Sequence, residues 1–268
     1  MTASPPVELV AGALYAAGGN IPLDGRVSWA PVAPGYQPLN AYVLTREEPI
    51  VIDPGVPAVE AGFMRGMREL LPEGSGVRVF ISRSQMDCIG NMAPLIKAYR
   101  VREVFTGGNR NPFDQFDEVR PDEDRSAEPM GVRRSPEDSG LEIYRPALRI
   151  LSTFWAYDAA TKAVFTSDSF THASSPDDEY RPILSSGDDD PTTVDDVRAH
   201  LYANLWWMPY AEKAAIAADV RAFFETHDVE IVAPDRGRIL VGKDVIAGHL
   251  DMLLGILDEA PILEDVNG

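Results

Sequence analysis

Residues 79–91 read VFISRSQMDCIGN, and this stretch decides how the chain is expected to fold. The apolar run that ends at Ile81 predicts a short buried strand, residues 82–87 a polar turn, and the following CIGNMAPLIKAY the start of a helix. Proteins that hold a metal at such a strand-to-helix corner carry histidines in the turn. This chain carries Arg83, Gln85 and Cys88 instead. The stretch has the layout of a metal site without its ligands.

Composition and charge narrow the class of protein. The 268 residues, 45% of them hydrophobic, are enough for one large domain with a substantial core. Charged residues make up 25%, which is typical of an ordinary globular chain rather than a disordered one. The formal net charge of −18 argues against nucleic acid or an anionic membrane as a partner.

The cysteine count and the N-terminal residues predict a compartment. Cys88 is the single cysteine, which excludes disulfides within the chain and fits a reducing cytoplasm. The first residues, MTASPPVELVAG, lack the basic start and long apolar core of a signal peptide. No run approaches the roughly 18 apolar residues that span a bilayer. We expect a cytoplasmic protein.

Strands alternate with helices along the first third of the chain. NAYVLTREEPIVIDPG (residues 40–55) predicts a hairpin around a polar TREE turn. AVEAGFMRGMRELL (58–71) has helical spacing, and the strand VRVFIS, the helix MAPLIKAY and the strand EVFTGG follow. This order indicates an α/β layered fold.

The rest of the sequence continues this pattern, so we expect one domain over residues 1–268. Two polar excursions, segments that leave the core for the surface, interrupt it. Residues 109–140, rich in proline and charge, are expected to form a surface loop, and the acidic residues 173–198 a loop or lid. Between them, LRILSTFWAYDAATKAVFTSDSF predicts two paired strands around a DAATK turn. The helix AEKAAIAADVRAFFETH, the strand VEIVAP, the turn DRGR and a last helix close the chain.

Taken in order, four of these segments resemble the metallo-β-lactamase superfamily, and within it the flavodiiron and oxygen-binding diiron branch. They are NAYVLTREEPIVIDPG, VFISRSQMDCIGN, LRILSTFWAYDAATKAVFTSDSF and VEIVAPDRGRIL, and LYANLWWMPYAEK is similar to a YYAN…P stretch of that branch. The resemblance covers residues 8–257. It implies an αββα sandwich with a two-metal site at the edge where the sheets meet.

The resemblance also implies which residues stand at the metal-ligand positions of the family. These positions hold Arg83, Gln85, Asp87, Cys88, Arg149, Asp168 and Arg236. Only the two aspartates keep a ligand that the family uses, and none of the four histidines of the chain falls on such a position.

Arginine at three of these positions disfavours a metal. A guanidinium has no lone pair to donate and stays protonated. One guanidinium about 5 Å from a divalent ion repels it by roughly 7 kcal/mol at an effective dielectric near 20, against the ~10–16 kcal/mol that a good zinc site supplies. Asp87, Cys88, Asp168 and the Gln85 carbonyl could still ligate an ion, but the carboxylates pair more readily with arginine. We therefore expect no metal in this chain.

Two interpretations of the arginines stay open at this stage. Arg83, Arg149 and Arg236 either form salt bridges with the two aspartates or line an anion-binding pocket with a surplus of about one positive charge. Cys88 is either a nucleophile activated by the arginines or a small buried residue.

Other residues have structural expectations. Asp53 is expected to support the loop at residues 82–88. An aromatic group is expected to pack in the core, with a pocket rim or a subunit contact as the alternatives; it comprises Trp206, Trp207 and Tyr210. The acidic run at 177–196 lacks the oxygen spacing of an EF-hand.

Three functions are compatible with this sequence. The first is a non-catalytic, metal-free subunit that pairs with a paralogous, zinc- or iron-bearing subunit in a hetero-oligomeric hydrolase. The second is a metal-independent enzyme or binder that uses the arginines for an anionic substrate. The third is a small-molecule sensor that uses the same pocket. The sequence shows no flavodoxin domain after the core, so electron transfer through a bound flavin is not expected.

Overall fold

Two β-sheets pack face to face, and helices cover the outer face of each. The computed structural model describes residues 4–107, 139–150 and 152–262, together with the backbone of residues 132–134. Within these ranges, no helix combines the length and the apolar character needed to cross a membrane.

The first sheet contains six strands in sequential order. The strands are β1 (Val7–Val10), β2 (Leu14–Pro22), β3 (Tyr36–Leu44), β4 (Ile50–Ile52), β5 (Gly76–Phe80) and β6 (Arg100–Phe105). The first three pairings are antiparallel, whereas β4, β5 and β6 run parallel. The predicted hairpin at 40–55 is confirmed as β3 and β4.

The second sheet contains seven strands in the order β11-β13-β12-β10-β9-β8-β7. The strands are β7 (Val132–Arg134), β8 (Leu141–Tyr144), β9 (Trp155–Asp158), β10 (Ala163–Ser167), β11 (Ile183–Ser185), β12 (Ile231–Pro234) and β13 (Ile239–Val241). Strands β9 and β10 pair around the predicted DAATK turn, and β10 runs parallel to β12.

The two predicted excursions have different outcomes. Most of the excursion at 109–140 lies outside the described residues. The acidic segment at 173–198 is not a continuous loop, because Ile183–Ser185 pairs in parallel with β13 as an edge strand. It then ends, as expected, at the start of a helix with a capping box between Thr193 and Asp196.

Six α-helices occur in the described part of the chain. They are α1 (Glu60–Leu70), α2 (Met86–Ile89), α3 (Met92–Ala98), α4 (Val194–Asn204), α5 (Ala214–Thr226) and α6 (Lys243–Leu257). Helices α1 and α3 pack on the first sheet through Phe63, Met67 and Leu95, and α4, α5 and α6 cover the second sheet. A third apolar layer, with Tyr42 and Phe165 in contact, fills the space between the sheets.

Glycine lets α1 approach the first sheet closely. A Cβ atom on Gly62 would lie 1.9 Å from the carbonyl oxygen of Gly18, and one on Gly18 would lie 1.8 Å from that of Leu39. Hydrogen is thus the only side chain that fits at either position.

Four strand ends meet at one edge of the sandwich. Asp53 follows β4, Ser82 follows β5, Asp168 follows β10, and Asp235 follows β12. Each of these strands runs parallel to a neighbour of the group, so their carboxyl ends point the same way. The polar residues that end these strands are therefore collected in one place.

Candidate functional site

Asp53 and Ser82 join the ends of the first sheet to the second. Asp53 accepts hydrogen bonds from the backbone N–H of Ser82 (2.8 Å) and from its hydroxyl (2.5 Å). The Ser82 Oγ also lies 2.8 Å from the Ser167 Oγ at the end of β10. Burial raises the pKa of Asp53 to about 7, against the lowering effect of the Ser82 hydrogen bonds. Asp53 supports the 82–88 turn, which is the role expected for it.

Arg83 lies at the centre of the site, buried among three carboxylates. Its guanidinium forms ion pairs with Asp87 and Asp168 through different nitrogen atoms, and Nη2 lies 3.3 Å from Asp235 Oδ2. These carboxylates raise the pKa of the guanidinium despite its burial, so it is a fixed positive charge.

Arg236 adds a second buried guanidinium to the site. Its Nε donates to Asp235 Oδ1 (3.2 Å), its Nη2 donates to Asn204 Oδ1 (3.2 Å), and its Nη1 lies 3.7 Å from Asp87 Oδ2. The guanidinium carbon lies 5.1 Å from the ring centre of Trp29, a cation–π distance.

We call Arg83, Arg236, Asp87, Asp168 and Asp235 the guanidinium–carboxylate cluster. Two arginines and three aspartates give it a formal charge of −1 when all are ionised. Burial is the main cause that raises the pKa of Asp168. This carboxyl therefore gives up its proton less readily than an exposed one, which works against the negative charge of the cluster. The surplus of positive charge expected for an anion pocket is therefore absent from the cluster, because that expectation omitted Asp235 and counted Arg149, which is not one of the five cluster residues.

Cys88 packs against the cluster as a buried thiol. Its Sγ donates to Asp235 Oδ2 over 3.6 Å and lies 3.7 Å from Ser82 Oγ. Burial, reinforced by Asp53 and Asp235, raises the pKa of the thiol well above its usual value, and Arg83 offsets this only in part. The arrangement favours the small buried residue over the activated nucleophile.

Gln85 and Arg149 lie at the margins of the site. Gln85 is exposed before α2, and its backbone carbonyl accepts hydrogen bonds from the N–H groups of Cys88 and Ile89. Arg149 is half-buried, donates to the Pro146 carbonyl (2.7 Å), and lines a cavity next to Asp168. The contacts given above bring together five of the seven sequence-predicted positions, namely Arg83, Asp87, Cys88, Asp168 and Arg236.

Several residues of the site were missed from the sequence. Asp235 stands directly before Arg236 in the APDRG motif, so the motif itself carried the signal. Asn204 and Trp29 had no comparable signal, because they reach Arg236 from a helix end and a loop remote in sequence. The expectation of core packing is wrong for Trp206 and Tyr210, which are 71% and 54% exposed, whereas Trp207 packs against the core.

Three side chains of the site carry atoms that could bind a metal ion. The ligand atoms of Asp87, Cys88 and Asp235 all lie within 4.8 Å of one another, which is a spacing that an ion could bridge. However, Arg83 already contacts both carboxylates. An ion bound by the same oxygen atoms would lie within about 5 Å of that guanidinium and be repelled by roughly 7 kcal/mol. The residues present do not fit a divalent metal as they are arranged.

Comparison with solved structures identifies the fold. Over 96% of its length the chain superimposes on rubredoxin oxygen:oxidoreductase from Desulfovibrio gigas, with a TM-score of 0.63 and 15% identity. It superimposes over 94% of its length on an NDM/FIM-1-like metallo-β-lactamase from Erythrobacter litoralis in its mono-zinc form, of which 97% is covered (TM-score 0.52, 14% identity). The chain has the metallo-β-lactamase fold.

Flavodiiron proteins are among the structural neighbours of this metallo-β-lactamase fold. The metal-soaked Flv1 flavodiiron core from Synechocystis sp. PCC6803 matches 93% of the chain with a TM-score of 0.56 and 13% identity. The chain spans 62% of the length of that protein and of the D. gigas oxidoreductase. No family model and no curated protein sequence matches the chain. The fold predicted from the motif order is confirmed; the loss of metal ligands stays a prediction.

Proposed function

We propose that this metallo-β-lactamase-fold chain is metal-independent and acts as a non-catalytic subunit that pairs with a metal-bearing chain of the same fold. The observation that carries the proposal is the position of Arg83. One buried guanidinium contacts Asp168 and Asp235, which follow strands β10 and β12, and Asp87 on α2. A fixed cation thus takes the electrostatic role that a metal has among these carboxylates.

The hydrogen bonds around the cluster support a structural role for it. Arg83 joins the turn after β5 to the end of β10, and Arg236 joins the end of β12 to α4 through Asn204. Charge-assisted hydrogen bonds of this kind are among the strongest that proteins use. These side chains hold the two sheets together at this edge alongside backbone hydrogen bonds, such as that from the Asn40 N–H to the Asp235 carbonyl (2.8 Å).

The exposed apolar side chains around the cluster support pairing with another chain. Met86 is 61% exposed and precedes Asp87, and Trp206 is 71% exposed and follows Asn204 by two residues. Large exposed aromatic residues are enriched at protein interfaces. We place the partner subunit on this rim and assign the zinc or iron of the assembly, and its hydrolytic chemistry, to that partner.

Substitution of Arg83 and Arg236 tests metal independence. The wild-type chain, purified without chelators, is expected to contain far less than one equivalent of zinc or iron by plasma mass spectrometry. Arg83→Met removes the central guanidinium from Asp87 and Asp235, and Arg236→Met removes the second one, so the double variant is expected to bind one Zn²⁺ through Asp87, Cys88 and Asp235. Adding Cys88→Ser to it should abolish the gain.

A matched control is available at Arg46, which forms a partly buried ion pair with Asp158 away from the site. Arg46→Met should gain no zinc. If the double variant fails to fold, the wild-type chain still provides a test, because its melting temperature should not change with chelator. A full equivalent of metal in the wild-type chain would overturn metal independence.

Pairing is tested by co-expression with a histidine-complete chain of the same fold from the same source. A stoichiometric complex that is lost on Trp206→Ala, with the metal in the partner, is expected. A monodisperse monomer under the same conditions would contradict the subunit role.

A further inference from the structure

Three of the four histidines converge behind the guanidinium–carboxylate cluster. His172 follows β10, His200 lies on α4, and His249 lies on α6, and each is at most 5% exposed. None of them stands at a ligand position of the fold family. Buried imidazoles are costly unless they have hydrogen-bond partners.

His172 and His249 form a hydrogen-bonded chain that leads to the surface. His172 Nε2 lies 2.8 Å from His249 Nδ1, and His249 Nε2 lies 3.0 Å from Asp190 Oδ2. The two rings are nearly parallel, with centres 5.0 Å apart. Asp190 belongs to the acidic segment before α4, and its side chain is about one-third exposed to solvent.

The carboxylate of Asp190 sets the direction in which the two imidazoles donate their hydrogen bonds. An ionised Asp190 can only accept, so His249 must carry a proton on Nε2. A neutral His249 then offers a lone pair on Nδ1, and His172 must donate to it from Nε2. His172 therefore keeps a lone pair on Nδ1, as a neutral imidazole carries one proton only.

At its inner end, the hydrogen-bonded pair of imidazoles reaches a small cavity beside the guanidinium–carboxylate cluster. The cavity has a volume of about 20 Å³, room for one water molecule, and its wall includes Asp168, His172, His200 and Asn204. The Nδ1 atom of His200 is buried and has no hydrogen-bond partner among the described residues. A water bound here would donate to His200 and complete a path from the imidazoles to Asp168.

We propose that Asp190, His249 and His172 form a proton relay that connects solvent to a single-water site beside Asp168. Every donor in this arrangement points outward, so a proton moves from the water site towards solvent. His172 Nδ1 takes up a proton that reaches the water site, the His172 Nε2 proton passes to His249 Nδ1, and the His249 Nε2 proton passes to Asp190 Oδ2, which releases it to solvent. Each imidazole forms one N–H bond and breaks one, so one proton taken up at His172 Nδ1 is matched by one released at Asp190.

Burial favours the neutral form of both imidazoles in the relay, and charged groups surround them. His249 faces Asp190 and Arg238, His172 faces His249 and His200, and His200 faces Asp196 and Arg236. Burial lowers the pKa of both His172 and His249. The relay therefore passes protons without storing a buried cation, and it operates whether or not the cluster is metal-free.

Nitrogen NMR on protein labelled with ¹⁵N-histidine tests the relay directly. At pH 7.5 both His172 and His249 are expected as the Nε2–H tautomer. Asp190→Asn should weaken proton binding by His249 about tenfold, because a carboxylate 3.0 Å away is lost. The titration of His172 should shift in the same variant, although His172 does not touch Asp190.

Two references separate this effect from general electrostatics. Asp189→Asn makes the same charge change at the exposed neighbouring residue and should leave both histidines unchanged. His227, which lies at the C-terminal end of α5 and 2.9 Å from Glu142, serves as an internal reference. An Nδ1–H tautomer of His249 at neutral pH, or a His172 titration identical in the wild type and Asp190→Asn, would overturn the relay.

Discussion

Arginine suits the centre of this site because its planar guanidinium presents several donors at fixed angles. Arg83 uses separate nitrogen atoms for Asp87 and Asp168 and still lies 3.3 Å from Asp235. A lysine ammonium is a single point charge and could not span these carboxylates with the same geometry. One residue thus places a cation of the chain itself among the strand ends.

Asp53 gives the first prediction at the residue scale. Its folded pKa of about 7 lies above the usual value of 3.8, so its contribution to stability is fully present below pH 3.8 and is lost as the pH rises through 7. As the pH rises from 6.5 to 8, ionisation of this group lowers the free energy of unfolding by roughly 1 kcal/mol. Asp53→Asn should remove this slope, and asparagine also tolerates the left-handed backbone (φ 45°) at this position.

Denaturant unfolding of the wild type and Asp53→Asn at pH 6.5 and 8 measures the effect. An unchanged slope in the variant would assign the pH dependence to another group.

The contact between α1 and β2 shows how the lack of a side chain at one glycine sets the position of a whole helix. Helix α1 buries Phe63 and Met67 against the first sheet only because Gly62 lies directly over the Gly18 carbonyl. The register of the helix over the sheet is fixed at this point.

A pair of glycine substitutions tests this at the scale of the element. Gly62→Ala should destabilise the protein by about 1–3 kcal/mol, because its Cβ would lie 1.9 Å from the Gly18 oxygen and α1 would have to move. Gly248→Ala, at an exposed position of α6 with open space around it, should stabilise by up to about 1 kcal/mol through helix propensity. Chemical denaturation of both variants measures the difference, and equal effects would contradict the close-packing argument.

At the scale of the whole molecule, buried histidines make the fold sensitive to acid. Burial lowers the pKa of His200 to about 4, and those of His172 and His249 are lowered as well. The unfolded chain binds protons at these residues from about pH 6.5 downward while the folded chain does not. Stability is therefore lost as the pH falls from 6.5 towards 4.

His200→Gln should reduce this acid sensitivity. The histidine costs on the order of 3 kcal/mol at pH 4 relative to pH 7, and glutamine has no such cost because it does not titrate. Thermal unfolding of both proteins across pH 4–7 checks the expectation. Parallel curves for the two proteins would show that other groups dominate acid unfolding.

The order of motifs was enough to predict the sandwich, because each motif marks a strand end and the parallel strands bring these ends together. It also placed Arg83, Arg236, Asp87 and Asp168 in one site. It failed where contacts depend on side-chain reach across the molecule. The imidazoles of His172, His200 and His249 meet through the packing of α4 and α6 on the second sheet, which no local spacing encodes.

Arg83 has a consequence for how the protein matures. A metal centre is complete only after an ion has been delivered, whereas a guanidinium is synthesised as part of the polypeptide. Under the metal independence that we propose, the edge of the two sheets reaches its final form as soon as the chain has folded, with no step in which an ion is loaded.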